Sequence, residues 1–418
     1  MKKLSKQRFF STVTVLWILF VSAAMFSTTA SAADTWKIGI LTCTLPGGPG
    51  IRMAAQLAAE DINAQGGILG KQIELVYGDA RDKPMIGSYE YTRLADKEKV
   101  IAVIGTGSSE VALEIMKQVP QYKVPFFAIG ASTPKIAEEV RLNYEKYKYV
   151  FKVFHDSYEL GNFTTDWLIH QMIKPRQIRK AAMVIESAAW TRPLSEEWKK
   201  QMETVGAEIP VFEYFDTHTK DFLPIVQKVR ESEAEAIITA FAHTDPADFV
   251  KLWADNKGPL MAGIIGLFPT LKKTAGEKTF SVISMAYPGI IGLTPRDKLF
   301  CEKYNGKFQA APEYTSPYTY DAMQILKIAV EKAGTAEAEI LVKTLEETDY
   351  QGIMGRWVFD RKSHHSKFGP GYRQFMMVQW QPPGHLCVIW PEEMKNCEMI
   401  LPPWQEKNGN PEQGRQSR

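Results

Sequence analysis

The residues whose types and spacing invite chemistry lie just after short apolar runs. Gly105-Thr106-Gly107-Ser108-Ser109 follows the run Val100–Ile104 and precedes a helical pattern through Lys117. The two glycines permit a tight turn. A helix starting near Ser109 offers unpaired N–H groups and a partial positive charge, a seat for a carboxylate. Plain N-capping by Ser108 or Ser109 is the alternative use of the same hydroxyls. Gly130-Ala131-Ser132 ends the run Pro125–Ile129, where small side chains let a ligand approach the backbone or simply make a turn before Pro134. Ala189-Trp190-Thr191-Arg192 follows Ala181–Glu186, at the strand end where open α/β sheets place ligands; a core tryptophan is the alternative.

Catalytic signatures are missing. Gly105-x-Gly107 has Glu110 where a dinucleotide loop needs its third glycine, and there is no Walker A, H-E-x-x-H or G-x-S-x-G segment. The seven histidines show no ligand spacing. His364-His365 stands in a polar turn with Asp360, Arg361 and Lys362, which predicts an exposed loop rather than a metal site. No cofactor, no metal and no enzymatic activity are expected.

Length and charge narrow the class further. At 418 residues, 45% hydrophobic and 23% charged, the chain is globular and long enough for two domains. A formal charge of +2 argues against a nucleic-acid partner. Lys2, Lys3, Lys6 and Arg8 precede an apolar stretch, Val13–Phe26, that ends at Ala30-Ser31-Ala32. This is the form of a secretory leader, residues 1–32, cleaved after Ala32. Its removal takes away bases and no acids, leaving a slightly negative exported chain with no expected membrane insertion. Export permits disulfides. Among Cys43, Cys301, Cys387 and Cys397, the favoured pair is Cys387–Cys397, which flanks a Pro-containing turn; four reduced thiols are the alternative.

The elements that must position these residues alternate. Trp36–Leu41 reads as a strand and Ile51–Ala64 as an amphipathic helix stopped by Gly66-Gly67. Strand Ile73–Tyr77, helix Ser88–Glu98 and strand Val100–Ile104 follow, and the pattern resumes from Ala181 through strands at Ile209–Tyr214, Ala236–Ala240, Leu260–Ile265 and Val282–Met285. A long helix spans Tyr318–Ala333, and the chain from residue 405 reads as a flexible tail. Serial βα units imply an α/β fold, two doubly wound parallel-sheet lobes with a changeover near Phe151–Asp156.

Six segments in order carry a resemblance. They are Asp61–Gly70 (DINAQGGILG), Gly105–Ser109, Val124–Phe127 leading to Gly130–Pro134, Lys220-Asp221-Phe222, and Gly352–Asp360 (GIMGRWVFD), within a likeness covering Trp36–Trp404. Together they resemble the leucine/isoleucine/valine-type periplasmic binding proteins. The resemblance implies a type I periplasmic binding fold with a three-stranded hinge. Lobe one would be about 36–154 plus 285–358, and lobe two about 155–284 plus 359–404. It implies a periplasmic protein that closes on a small-molecule solute and delivers it to the inner-membrane permease subunits of an ABC transporter. A receptor feeding a signalling protein is the other use of this fold.

For the site, the resemblance implies that Ser109 holds the solute carboxylate, that the Gly130 carbonyl accepts from an ammonium, and that Ser132, beside Ala131, supplies hydroxyl and N–H. Trp190 would cover the solute from the second lobe. Phe241, ahead of Ala242 and His243, would form a wall, with Ile264 close by and Tyr287 and Tyr318 near the hinge. The chain departs from the family where an acid should pair with the solute ammonium: Gly263–Phe268 holds none. Asp245 or Glu186 would have to substitute, because an ammonium desolvated without a partner costs several kcal/mol. The family's early disulfide is also missing, its positions falling near Arg81 and Ser108. The expected solute is therefore a carboxylate or small amide other than a standard branched-chain amino acid, suited to Trp190, Phe241 and Phe268.

Overall fold

The computed structural model describes residues 35–405 apart from 45–46, 266–268, 291 and 293. The expected leader, Phe268 and the tail from residue 406 lie outside them. Among the described residues, no helix is long and apolar enough to cross a membrane.

Near-continuous apolar runs build the first sheet, because strands covered on both faces need no polar side. Strand β1 (Trp36–Thr42) is followed by helix α1 (Gly48–Ala64), β2 (Ile73–Asp79), α2 (Pro84–Thr92), β3 (Val103–Thr106), α3 (Ser109–Met116), β4 (Phe126–Ile129) and β5 (Val150–Lys152). All pairings are parallel, in the order β2-β1-β3-β4-β5. Helix α1 buries Ile51, Ala54, Ala55, Leu57, Ala58 and Ile62. The third strand starts at Val103 rather than Val100, because Lys99 turns the chain at φ 56° and the Val100 N–H is spent on the Leu94 carbonyl.

The second sheet follows: α4 (Ser157–Trp167), β6 (Lys180–Glu186), α5 (Thr191–Thr204), β7 (Glu208–Phe215), α6 (Leu223–Glu231), β8 (Ala236–Ala240), α7 (Ala247–Asp255), β9 (Leu260–Ile264) and β10 (Ile283–Ala286). The chain then gives helices α8 (Pro295–Phe308) and α9 (Ser316–Ala333) to the first sheet, where α9 packs on α1, β3 and β4. It returns with β13 (Met376–Gln381) and β14 (His385–Trp390), after the two-residue strands β11 (Tyr350–Gln351) and β12 (Arg356–Trp357) pair with each other. The strand order is β14-β13-β10-β9-β8-β6-β7, with β13 and β14 antiparallel.

Where the chain passes between the sheets, charge is buried. Lys152 donates to the carbonyls of His155 (2.8 Å) and Phe154 (3.3 Å). Burial pulls its ammonium down to about 8 against the pull of Asp156 and Glu159. Asp156 caps α4, accepting from the Tyr158 and Glu159 N–H groups, while Glu159 accepts from the Asp156 N–H. Arg373 is buried against the Trp357 ring and donates to Ser366.

Two expectations are corrected here. His364-His365 is no exposed loop: residues 364–366 pair beside β5, and the His364 ring stacks on Phe151 at 4.3 Å, with Nε2 2.9 Å from Glu346. The favoured Cys387–Cys397 bridge is also not formed. All four cysteines are thiols, and burial with a hydrogen bond to Cys387 pushes Cys397 up to about 12.

Candidate functional site

Both sheets turn their carboxyl ends toward the same space. The order of the first reverses around β1, and that of the second reverses around β6, so crevices open beside the ends of β1 and β3 and of β6 and β8. Crevices at such switch points are where open α/β sheets bind ligands.

On the first side, the β3–α3 turn is tightly built. Thr106 Oγ1 accepts from the Ser108 N–H, and Ser108 is the N-cap, its hydroxyl accepting from Val111. Ser109 therefore lies inside the first turn. Its hydroxyl accepts from the Thr133 N–H (3.2 Å), tying the start of α3 to the segment after β4. The backbone there comes very close: a Cβ on Gly130, at φ 71°, would stand 2.6 Å from Gly107 Cα, so only glycine fits. Ala131 and Ser132 are buried beside it, and the Ser132 carbonyl accepts from Ser157 at the first crossing. Ser109, Gly130, Ala131 and Ser132 thus form one compact group.

The Gly/Pro-rich loop before α1 has a packing reason. A Cβ on Gly47 would collide with the Tyr314 ring, and Glu313 accepts from the Gly47 and Gly50 N–H groups, capping α1. Burial pushes the Tyr314 phenol up, and the fields of Cys43, Glu313, Glu186 and Asp82 add to it; the ring lies 6.3 Å from that of Phe154 at the first crossing.

The opposite side is organised by Glu186, the last residue of β6 and fully buried. It accepts from the Trp190 indole (3.1 Å) and from the His243 and Thr244 N–H groups, and its Oε1 lies 3.1 Å from His243 Nδ1. Burial would raise this carboxyl, but the His243 ring and the backbone N–H donors hold it below its ordinary value. Burial would likewise lower the His243 imidazole, yet Glu186, with smaller contributions from Glu110 and Asp82, raises it.

Trp190 and Ile264 belong to the large apolar cluster that also holds Ala131, Tyr287 and Tyr318. Phe241 does not join them. Its ring packs with Phe215 (4.7 Å) and Phe249 (5.2 Å) in a separate core under α6 and α7. Tyr287 donates to the Tyr314 carbonyl, and the Tyr318 hydroxyl meets His155 Nδ1 at 2.8 Å, so both serve the crossings. Asp245 accepts from the Ala247 N–H at the start of α7.

Sequence reasoning missed two residues, and the first of them joins the halves. Glu110, in the first turn of α3, accepts from the Ser108 hydroxyl and, across the gap, from the Ala189 N–H at 3.0 Å. An acid in a first helical turn is commonplace, so nothing in the sequence marked it. His243, rather than Phe241, is the side chain after β8 that meets Glu186. Among the described residues no cluster of three His, Cys, Asp or Glu could hold a metal ion.

Two open α/β sheets thus meet at their carboxyl ends, where Glu110 at the start of α3 accepts from the Ala189 N–H beside Trp190. The model of the periplasmic binding protein family matches residues 36–384, and the chain belongs to that family. It is 25% identical over 312 residues to an amino acid binding protein of Pseudomonas aeruginosa, covering 74% of this chain and 80% of that one. A branched-chain amino acid transporter substrate binding protein from Streptococcus pneumoniae, in complex with isoleucine, superposes with a TM-score of 0.71 at 20% identity, covering 85% of this chain and all of that one. A solute binding protein of an ABC transporter from Rhodopseudomonas palustris, in complex with 3,4-dihydroxy benzoic acid, gives 0.74 at 19% identity, with 89% and 99% covered.

Proposed function

We propose that this chain is the exported, periplasmic solute-binding component of a branched-chain-amino-acid-type ABC importer. It captures a small carboxylate-bearing solute between lobes of about 36–154 plus 285–358 and 155–284 plus 359–404, and passes it to the inner-membrane permease. The solute is not a standard branched-chain amino acid. One observation supports this last point: Ser109, Gly130 and Ser132 lie together at the start of α3, while Glu186 already has both oxygens committed to Trp190, His243 and Thr244. A carboxylate set on the first turn of α3 would meet N–H groups and a favourable dipole. An ammonium reaching the second lobe would have to displace a buried partner of Glu186.

Thermal unfolding of purified protein, first unfolded and refolded to strip retained solute, tests this. A captured solute adds about 2.7 kcal/mol at a hundredfold excess over Kd, a visible rise in Tm. Benzoate or hexanoate should raise Tm, and leucine, isoleucine and valine should not. A rise with leucine that exceeds every acid's would reverse the assignment.

A further inference from the structure

The second sheet's switch point lies between β6 and β8, and two titratable side chains meet there: Glu186 ends β6, and His243 follows β8. Glu186 is fully buried, and the His243 side chain is 7% exposed. A buried carboxylate is tolerated beside a positive charge and hydrogen-bond donors, and an imidazolium supplies both. Because Nδ1 faces Glu186 at 3.1 Å, Nε2 on the other side of the ring points away from it. Glu110, on α3, bonds to the Ala189 N–H across the gap, and its charge and that of Asp82, after β2, are felt at the same ring.

We propose that His243 is the specificity-determining residue of lobe two: its Nε2–H donates to an oxygen at the end of the solute remote from the carboxylate. Glu186 acts through it as a positioning residue, holding the imidazole and the Trp190 indole together. The field of Glu110 and Asp82 disfavours a second full negative charge on the solute. The class that fits is a monocarboxylic acid bearing a hydroxyl or carbonyl oxygen at its far end. This rests on the reading of Ser109 as the carboxylate seat. The raised imidazole keeps the donor present at mildly acidic to neutral pH; once deprotonated, Nε2 becomes an acceptor, a carbonyl loses its partner and a hydroxyl keeps only a neutral hydrogen bond, so the preference shrinks.

Isothermal titration of the stripped protein with matched pairs, benzoate against 4-hydroxybenzoate and hexanoate against 6-hydroxyhexanoate, tests the assignment. In at least one pair the hydroxyl-bearing acid should bind about ten- to a hundredfold tighter near pH 6, the worth of one charge-assisted hydrogen bond. That preference should collapse to about twofold or less in His243→Ala and should fade as pH rises toward 9. Should His243→Ala fail to fold, the double variant Glu186→Gln, His243→Gln keeps a neutral hydrogen-bonded pair and should abolish the pH dependence. Preference that survives in the folded variant, or parent acids that bind as tightly as their hydroxylated partners, would overturn the role of His243 alone. No monocarboxylate binding at all would overturn the carboxylate seat and the inference with it.

Discussion

His243, after β8, and His365, at the crossing beside β5, are both buried next to carboxylates, yet their environments push them in opposite directions. His365 stands 3.6 Å from Asp156 and 3.6 Å from Glu159. Burial nevertheless holds its imidazole well below the ordinary value, reinforced by Lys152 and Arg373. His243 has one close carboxylate and is raised. The difference lies in who else claims the acids. At the crossing, two cations compete for carboxylates already spent on the α4 N-terminus, and burial pushes Glu159 up to about 7. In the cleft, Glu186 also takes N–H donors from Trp190, His243 and Thr244, but among the described residues no Lys or Arg pairs with it. Proximity to a carboxylate does not charge a histidine; the local balance of charge does.

The largest test of that contrast is removal of each region's anchor. Glu186→Ala leaves the Trp190 indole, two backbone N–H groups and a buried imidazole without their acceptor, and should cost about 3–5 kcal/mol in urea unfolding. Lys152→Met removes a charge that burial already weakens and orphans two carbonyls, for about 1–3 kcal/mol. Equal losses would break the comparison.

A finer test is pH. His243, raised on folding, contributes stability that is fully present below about 6.5 and is lost as pH rises through its folded value. His365, depressed on folding, contributes stability fully present above about 6.5 and lost as pH falls toward its folded value. Each slope is at most about 1.4 kcal/mol per pH unit. His243→Gln should flatten the alkaline side of the stability profile and His365→Gln the acid side. The same variant flattening both sides would show that the two regions titrate as one.

The smallest effect expected is that of Glu110→Gln. It weakens the hydrogen bond to Ala189 across the cleft by about 0.5–1.5 kcal/mol and removes a negative charge that helps to raise the His243 imidazole. Small-angle scattering of solute-free protein should show a larger radius of gyration. By NMR, the His243 imidazole should titrate lower while His365 stays where it was; movement of both would sharpen the picture toward long-range coupling.

Much of the architecture could be read from periodicity, because buried parallel strands such as Ala236–Ala240 are short unbroken apolar runs between helical stripes. The β3–α3 turn was readable for a related reason, since a close backbone approach at Gly107 and Gly130 demands glycine. Less visible was which residue after a strand faces the cleft. Phe241, Ala242 and His243 are consecutive, and the bend of the chain just past β8 sends the phenylalanine into the core and the histidine to Glu186. The β13–β14 hairpin had a signal that went unused, Pro382-Pro383-Gly384 between two apolar runs. His364 and His365 look solvated among charged neighbours, and only the long-range pairing to β5 buries them.

That pairing has a consequence for solubility. A three-residue strand at the margin of a parallel sheet would present unpaired N–H and C=O groups to any other extended chain. Here the Lys152 N–H donates to the His364 carbonyl, and the Ser366 N–H donates back to Lys152. The segment that carries the chain across for the third time therefore also seals the sheet margin. A chain ending before residue 364 would lose that seal, leaving a template for self-association.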